Sequence, residues 1–303
     1  RGVGNYTETD GRECARAFTG WTLEHKLPRF HMGRWDWQFK FVPEDHDYGT
    51  KEFLGEKGVF DGEEIIDIIL SKRATSLFIA RHLYSFFVSD EPQVPAWSVT
   101  PPKDQKAVDF LAKTLVDSGM EIKPVLRALF LSDFFKDSKF AKIKSPAEVV
   151  VGTLRFVGGY KFPAPGIGNL SKEAGYMGQE LLNPPSVEGW HTGHEWINSG
   201  AFVQRVNFMA DQLGDASLPG VQDIIRRIAS SNGKGMSPDQ LVDGCLEQMG
   251  PLQVKDSTRR ELIDFVQSET DQISWHNGDY EKGADITCKV LALVTGTREY
   301  QFG

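Results

Sequence analysis

Two four-residue passages, Ser145-Pro146-Ala147-Glu148 and Ser237-Pro238-Asp239-Gln240, constrain the fold of this chain more than any other feature. Each supplies a hydroxyl able to accept from a free backbone amide. Each follows it with a proline whose missing N–H a first helical turn does not need, and with a Glu or Gln that reaches back to the cap. That order starts a helix. Behind the first, Val149, Val150, Thr153, Leu154 and Val157 keep the 3.6-residue period until Gly158-Gly159. Behind the second, Leu241, Val242, Cys245, Leu246 and Met249 do so until Gly250.

The same reading extends along the chain. Asp61-Gly62-Glu63-Glu64 opens an Ile-rich helix, and Leu77, Ala80, Leu83, Tyr84 and Phe87 mark the buried stripe of the next. Ala107, Val108, Leu111, Leu115 and Val116 mark another, stopped at Gly119, and Pro124 leads the one carrying Val125, Leu126 and Leu129. Further helices are expected over 7–19, 172–182, 199–213, 220–230, 258–268 and 284–295. The exception is Trp35 to Phe41, where Trp35, Trp37, Phe39 and Phe41 alternate with polar residues at the period of two that a half-buried strand requires. Lys51 to Leu54 is the expected partner, joined through the Pro43 to Gly49 loop. The fold class is therefore mainly α, a multi-helical globular array with one small β-hairpin near residues 35–54. A helical core over 1–215 carries the dense motifs, and a more polar stretch over 216–303 reads as a C-terminal helical subdomain packed on it.

Composition excludes several functions. With 34 basic against 42 acidic side chains the net charge is −8, and no Lys or Arg block offers a surface to track phosphates, so nucleic acid is not an expected partner. The three cysteines, Cys14, Cys245 and Cys288, are too few and too scattered for a disulfide framework or a Cys-x-x-Cys metal site. No apolar run reaches the length of a membrane span. No glycine run forms a phosphate cradle, since no strand precedes Gly166-Ile167-Gly168 and no Gly-Lys-Ser/Thr follows.

A family resemblance accounts for the order of the motifs. The chain carries Asn5-Tyr6-Thr7-Glu8, Ala15-Arg16-Ala17-Phe18-Thr19-Gly20-Trp21, His46-Asp47-Tyr48-Gly49-Thr50-Lys51 and Lys144-Ser145-Pro146-Ala147-Glu148. Further on come Pro184-Pro185-Ser186-Val187-Glu188-Gly189-Trp190, Trp196-Ile197-Asn198 and Arg205-Val206-Asn207. In this sequence they resemble a bacterial family catalogued as domain of unknown function 1800. The closing stretch from Val290 to Gln301 resembles the family's last helix, with Thr297-Arg298 where Ser-Pro is usual. The resemblance implies an exported protein, periplasmic or extracellular, and places this chain as the C-terminal two-thirds of longer members whose N-terminal segment it lacks. It implies no catalytic residues.

Chemistry is densest between Asn5 and Gly55, which holds three of the seven Trp and three of the seven His. His46 and Asp47, with Glu44 and Lys51, are the first candidates. A loop imidazole beside carboxylates can serve as a general base, can share a divalent metal ion with Asp47, or can simply organise the loop. Trp21, Trp35 and Trp37 suit stacking on a carbohydrate ring, but alternating strand aromatics more often pack as core on a helix. Arg16 can stack on an indole or bind a carboxylate, a structural clamp being the more economical role. His191, His194 and Glu195 carry metal-ligand residue types without the i, i+4 imidazole pair of a helical zinc motif. Two functions stay open. One is a hydrolase-like enzyme working through His46, with or without a divalent metal, on an extracellular polymer or small molecule. The other is a non-enzymatic binding or scaffold protein of the cell envelope.

Overall fold

A computed structural model of the chain describes residues 5–25, 37–160, 162, 165–231, 235–250, 252–275 and 279–303. The architecture is mainly helical, with two small antiparallel sheets of two strands each among the described residues. The chain divides into two compact units, residues 1–87 with 92–137, and residues 88–91 with 138–303. The division expected at residue 215 falls inside the second.

In the first unit, Thr7 caps α1 (Glu8–Ala17). Its hydroxyl accepts from the Asp10 amide at 3.1 Å, and Asp10 Oδ2 accepts from the Thr7 amide at 2.7 Å. β1 (Trp21–His25) pairs with β2 (Trp37–Phe41), Trp21 opposite Phe41 and Leu23 opposite Phe39. β3 (Lys51–Phe53) pairs with β4 (Glu56–Gly58). The strand expected near 35–41 is present, and its expected partner is corrected. Val42 donates to the Gly20 carbonyl at 2.8 Å and so continues the β1–β2 ladder, and a 3-10 turn over Pro43–Asp45 then leads the chain away. Leu54 and Gly55, at φ 48° and 85°, close β3 directly onto β4 as a two-residue turn. The half-buried face expected of that strand does not form, since Phe39 is 62% and Phe41 39% exposed beside exposed Gln38 and Lys40.

α2 (Gly62–Ser71) starts at Asp61, whose capping box with Glu64 is complete. It is followed by α3 (Arg73–Phe87), α4 (Gln105–Asp117), α5 (Ile122–Leu131) and the short α6 (Asp133–Lys136). α4 packs on both α3 and α5, burying Val108, Leu111 and Leu115 from its apolar stripe.

The second unit contains α7 (Pro146–Val157), α8 (Leu170–Tyr176), α9 (Ser199–Leu213), α10 (Pro219–Ser231), α11 (Pro238–Gln248), α12 (Asp256–Glu269) and α13 (Tyr280–Gly296). The capping boxes at Ser145 and Ser237 both form, and Gly158 ends α7 in the left-handed conformation at φ 66°. α8 is shorter than the 172–182 expected, because it ends in a turn that places Gly178 at φ 99°. α13 packs on α9, α11 and α12, and Val266, Val290, Leu291 and Val294 are fully buried there. No described helix is long and apolar enough to cross a membrane.

Candidate functional site

The loop between β2 and β3 is fastened to α1 and to the residues that follow it. Arg16, in the last turn of α1, meets Asp47 with two nitrogens, Nε to Oδ2 at 2.7 Å and Nη2 to Oδ1 at 3.2 Å. The same guanidinium donates to Glu13 at 2.6 Å and to the Thr50 carbonyl at 3.3 Å. Asp47 Oδ1 also accepts from the Gly49 amide at 2.8 Å, which closes the loop on itself. Thr19 joins in by accepting from the Asp47 amide through its hydroxyl at 2.8 Å. The Arg16 hydrogen bond, followed by the Gly49 amide, holds the Asp47 carboxyl down at about 2.

His46 and Lys51 are committed in the same way. The His46 ring is buried at 9% exposure, with Nδ1 2.8 Å from the Thr19 carbonyl and edge-on contacts to Phe41 and Tyr48 at 5.6 and 4.6 Å. That carbonyl can only accept, so Nδ1 carries the proton and donates. Lys51 is 1% exposed and its ammonium donates to the Asp47 and Gly49 carbonyls. Glu44 and Asp45 lie exposed on the 3-10 turn. The structure therefore brings Arg16, His46, Asp47 and Lys51 together, tied to one another, to Glu13 and Thr19 and to backbone carbonyls of the loop.

Trp21 lies edge-on to Phe18 at 4.9 Å and Phe39 at 5.1 Å, and it rests on Gly62, where a Cβ would come within 2.5 Å of the indole. Trp35 and the side chain of Trp37 lie outside the described residues. His191 Nδ1 is 2.5 Å from Glu195 Oε2, and both side chains are about half exposed. His194 is exposed in the adjoining 3-10 turn. Among the described residues, no three His, Cys, Asp or Glu side chains come together so as to hold a metal ion.

Beside the clasp, the first unit forms a groove of about 860 Å3. Cys14, Phe53, Leu54, Ile69 and Phe78 supply apolar lining, and Tyr6, Asp10, Lys72 and Thr75 supply polar groups. The β3–β4 turn is tied down from both sides here. Asp10 Oδ1 accepts from the Leu54 amide at 2.8 Å, and Lys72 Nζ donates to the Leu54 carbonyl at 3.2 Å and to Glu56 at 3.4 Å. Hydrogen bonds from Thr7, and then from the Leu54 amide, lower the Asp10 carboxyl. The groove was not visible as a motif, because its lining comes from four separate elements.

A second cluster, in the other unit, also escaped the sequence reading. Arg205 is fully buried on the face of α9 that otherwise carries Ala201, Phe208, Met209 and Leu213. Its signal was a cation at a core position of an amphipathic stripe, which charged side chains rarely occupy. It draws together three of the passages noted above, since it contacts Lys144 and Gln301.

Set against known families, the chain matches the model described as Protein of unknown function (DUF1800) over residues 2–302. The expected family is the one found, although placement as the C-terminal two-thirds of longer members is a detail the match does not bear out. Neither the curated proteins nor the solved structures contain a match.

Proposed function

The chain belongs to the DUF1800 family, and we propose that it works by binding rather than by hydrolysis. Its first unit takes a small apolar or amphipathic molecule in the groove between α1, the β3–β4 turn and the start of α3. The observation that carries this reading is the combination found there: an apolar hollow of about 860 Å3 with a few polar groups at Asp10, Lys72 and Thr75. Ligand sites are built this way, with apolar walls for affinity and few polar groups for orientation. The hydrolase reading draws less support, because Asp47 is taken up by Arg16, and His46 and Lys51 by backbone carbonyls. We place this binding role in the periplasm or outside the cell, the compartment that the family resemblance implies.

The test uses the purified chain and the amphipathic dye 1-anilinonaphthalene-8-sulfonate. Ala74 lines the groove and is exposed, so Ala74→Trp fills the hollow without disturbing the core. Saturable dye binding that falls about tenfold in Ala74→Trp, at an unchanged melting temperature, supports the reading. Dye binding that never saturates, or is equal in both proteins, sinks it. Turnover of p-nitrophenyl acetate that disappears in a folded His46→Ala protein would restore the hydrolase instead.

A further inference from the structure

Arg205 has a donor with nowhere to go. Its Nε donates to Gln301 Oε1 at 2.9 Å and its Nη2 to the Lys144 carbonyl at 2.7 Å, while Nη1 is buried without a partner. Both partners are neutral oxygens. A guanidinium at 0% exposure with only neutral acceptors, and both N–H groups of Nη1 unpaired, is costly in a low-dielectric interior unless a water molecule or an ion accepts from them.

Charge distinguishes the two. Lys144 brings a second cation into the same corner, its Nζ donating to the Tyr300 carbonyl at 2.7 Å and sitting 3.9 Å over the Tyr300 ring. Burial, and then the charge of Arg205, push that ammonium down to about 8. Burial lowers Arg205 as well, to about 10. The acid that acts on both is Glu148, and its Oε2 is occupied in accepting from the Ser145 amide at 2.6 Å. The neighbouring Lys142 faces its own carboxylate, Asp90, at 4.0 Å. A buried and a half-buried cation thus share one exposed acid at the start of α7, where the helix dipole adds further positive potential.

We propose that a small monovalent anion of chloride's size binds at Arg205 Nη1, in the corner formed by Arg205, Lys144 and the start of α7. Its charge balances the second cation and its lone pairs take the empty donor, which a water molecule would do only in part. The site fixes Lys142–Ser145 against Glu299–Gly303, which already pair through Ile143 and Phe302 and through the Gly303 amide on the Lys142 carbonyl at 2.8 Å.

The experiment exchanges chloride for gluconate at constant ionic strength in the full chain and follows thermal unfolding alongside 35Cl linewidth. The proposal expects a saturable rise in melting temperature with chloride and line broadening that gluconate does not give. Arg205→Gln risks failing to fold, so the discriminating variant is Lys144→Gln at the half-buried rim, which should raise the chloride midpoint about tenfold. Absence of both saturation and broadening assigns a water molecule to Nη1 and overturns the proposal. A chloride response of equal midpoint in Lys144→Gln overturns it too, because the anion would then bind elsewhere.

Discussion

Arg16 holds Asp47 through two nitrogens while Gly49 has room for no side chain between them. A Cβ built on Gly49 would lie 2.6 Å from Arg16 Nη2 and 2.9 Å from Asp47 Oδ1. Gly49→Ala is therefore expected to force the pair apart and lower the melting temperature, although Gly49 sits at an exposed position. Asp47→Asn should produce a loss of the same direction. A melting temperature unchanged in both would show that the clasp contributes nothing measurable, as is common for exposed ion pairs.

The clasp also carries a pH signature. Asp47 lies lower in the folded chain, at about 2, than its ordinary value of 3.8. Below its unfolded value the unfolded chain binds more protons, so stability falls with falling pH. The contribution is complete above the ordinary value and disappears as pH drops through about 2. The measurement is the difference in unfolding free energy between the parent and Asp47→Asn from mildly acidic to strongly acidic solution. It should shrink across that window, and a constant difference would contradict the assignment.

These side chains show what the sequence could and could not disclose. Helix starts were legible at Asp61, Ser145 and Ser237 because a cap acts through residues two or three positions away, and each forms as written. The strand at Trp37–Phe41 was legible from its alternation, although Gln38 to Phe41 all lie exposed. Strand pairing was not, since a period of two says which way a side chain points and nothing about its partner. Trp21–His25 had to be brought to Trp37–Phe41 by contacts distant in sequence. The role of Asp47 in accepting the Gly49 amide was legible as a turn habit, whereas the buried lysine at 51 was not. Lys51 and Arg205 are invisible to a scale that counts them as surface residues, because only the assembled carbonyls make their burial tolerable.

The cysteines provide a reagent map of the groove. Cys14 is half-buried in its lining, with its thiol pushed up by burial; Cys288 is buried and pushed up to about 11, and Cys245 is buried and raised further. Since the thiolate is the nucleophile, all three should alkylate slowly, with Cys14 first and the other two only on unfolding. A ligand in the groove should slow Cys14 further. Labelling of Cys245 ahead of Cys14 in the native chain would refute the burial described.

Leu54 tests whether the groove keeps strain for binding. It occupies the first position of a two-residue hairpin turn at φ 48°, where an asparagine is favoured over a branched apolar residue. Leu54→Asn should hold or raise the melting temperature while weakening dye binding, because the apolar wall is lost as the turn relaxes. A large drop in melting temperature would mean that Leu54 matters chiefly through its packing against the Ala17, Phe53 and Ile65 core.

Two glycines to alanine should move stability in opposite directions. Gly11 lies within α1, and a Cβ there meets nothing within 4 Å, so alanine gains helix propensity without a clash and should stabilise by about 0.5–1 kcal/mol. Gly220 lies at the start of α10 against α7, where a Cβ would come within 2.1 Å of the Phe156 carbonyl oxygen and 2.8 Å of the Val157 carbonyl carbon. Backbone atoms cannot rotate away as a side chain can, so Gly220→Ala must part the two helices and should destabilise by about 1–3 kcal/mol. Urea unfolding of the two variants beside the parent measures both signs at once. The helix contact requires Gly220→Ala to be the less stable of the two, and a reversed order would rule out the close backbone approach of α7 and α10.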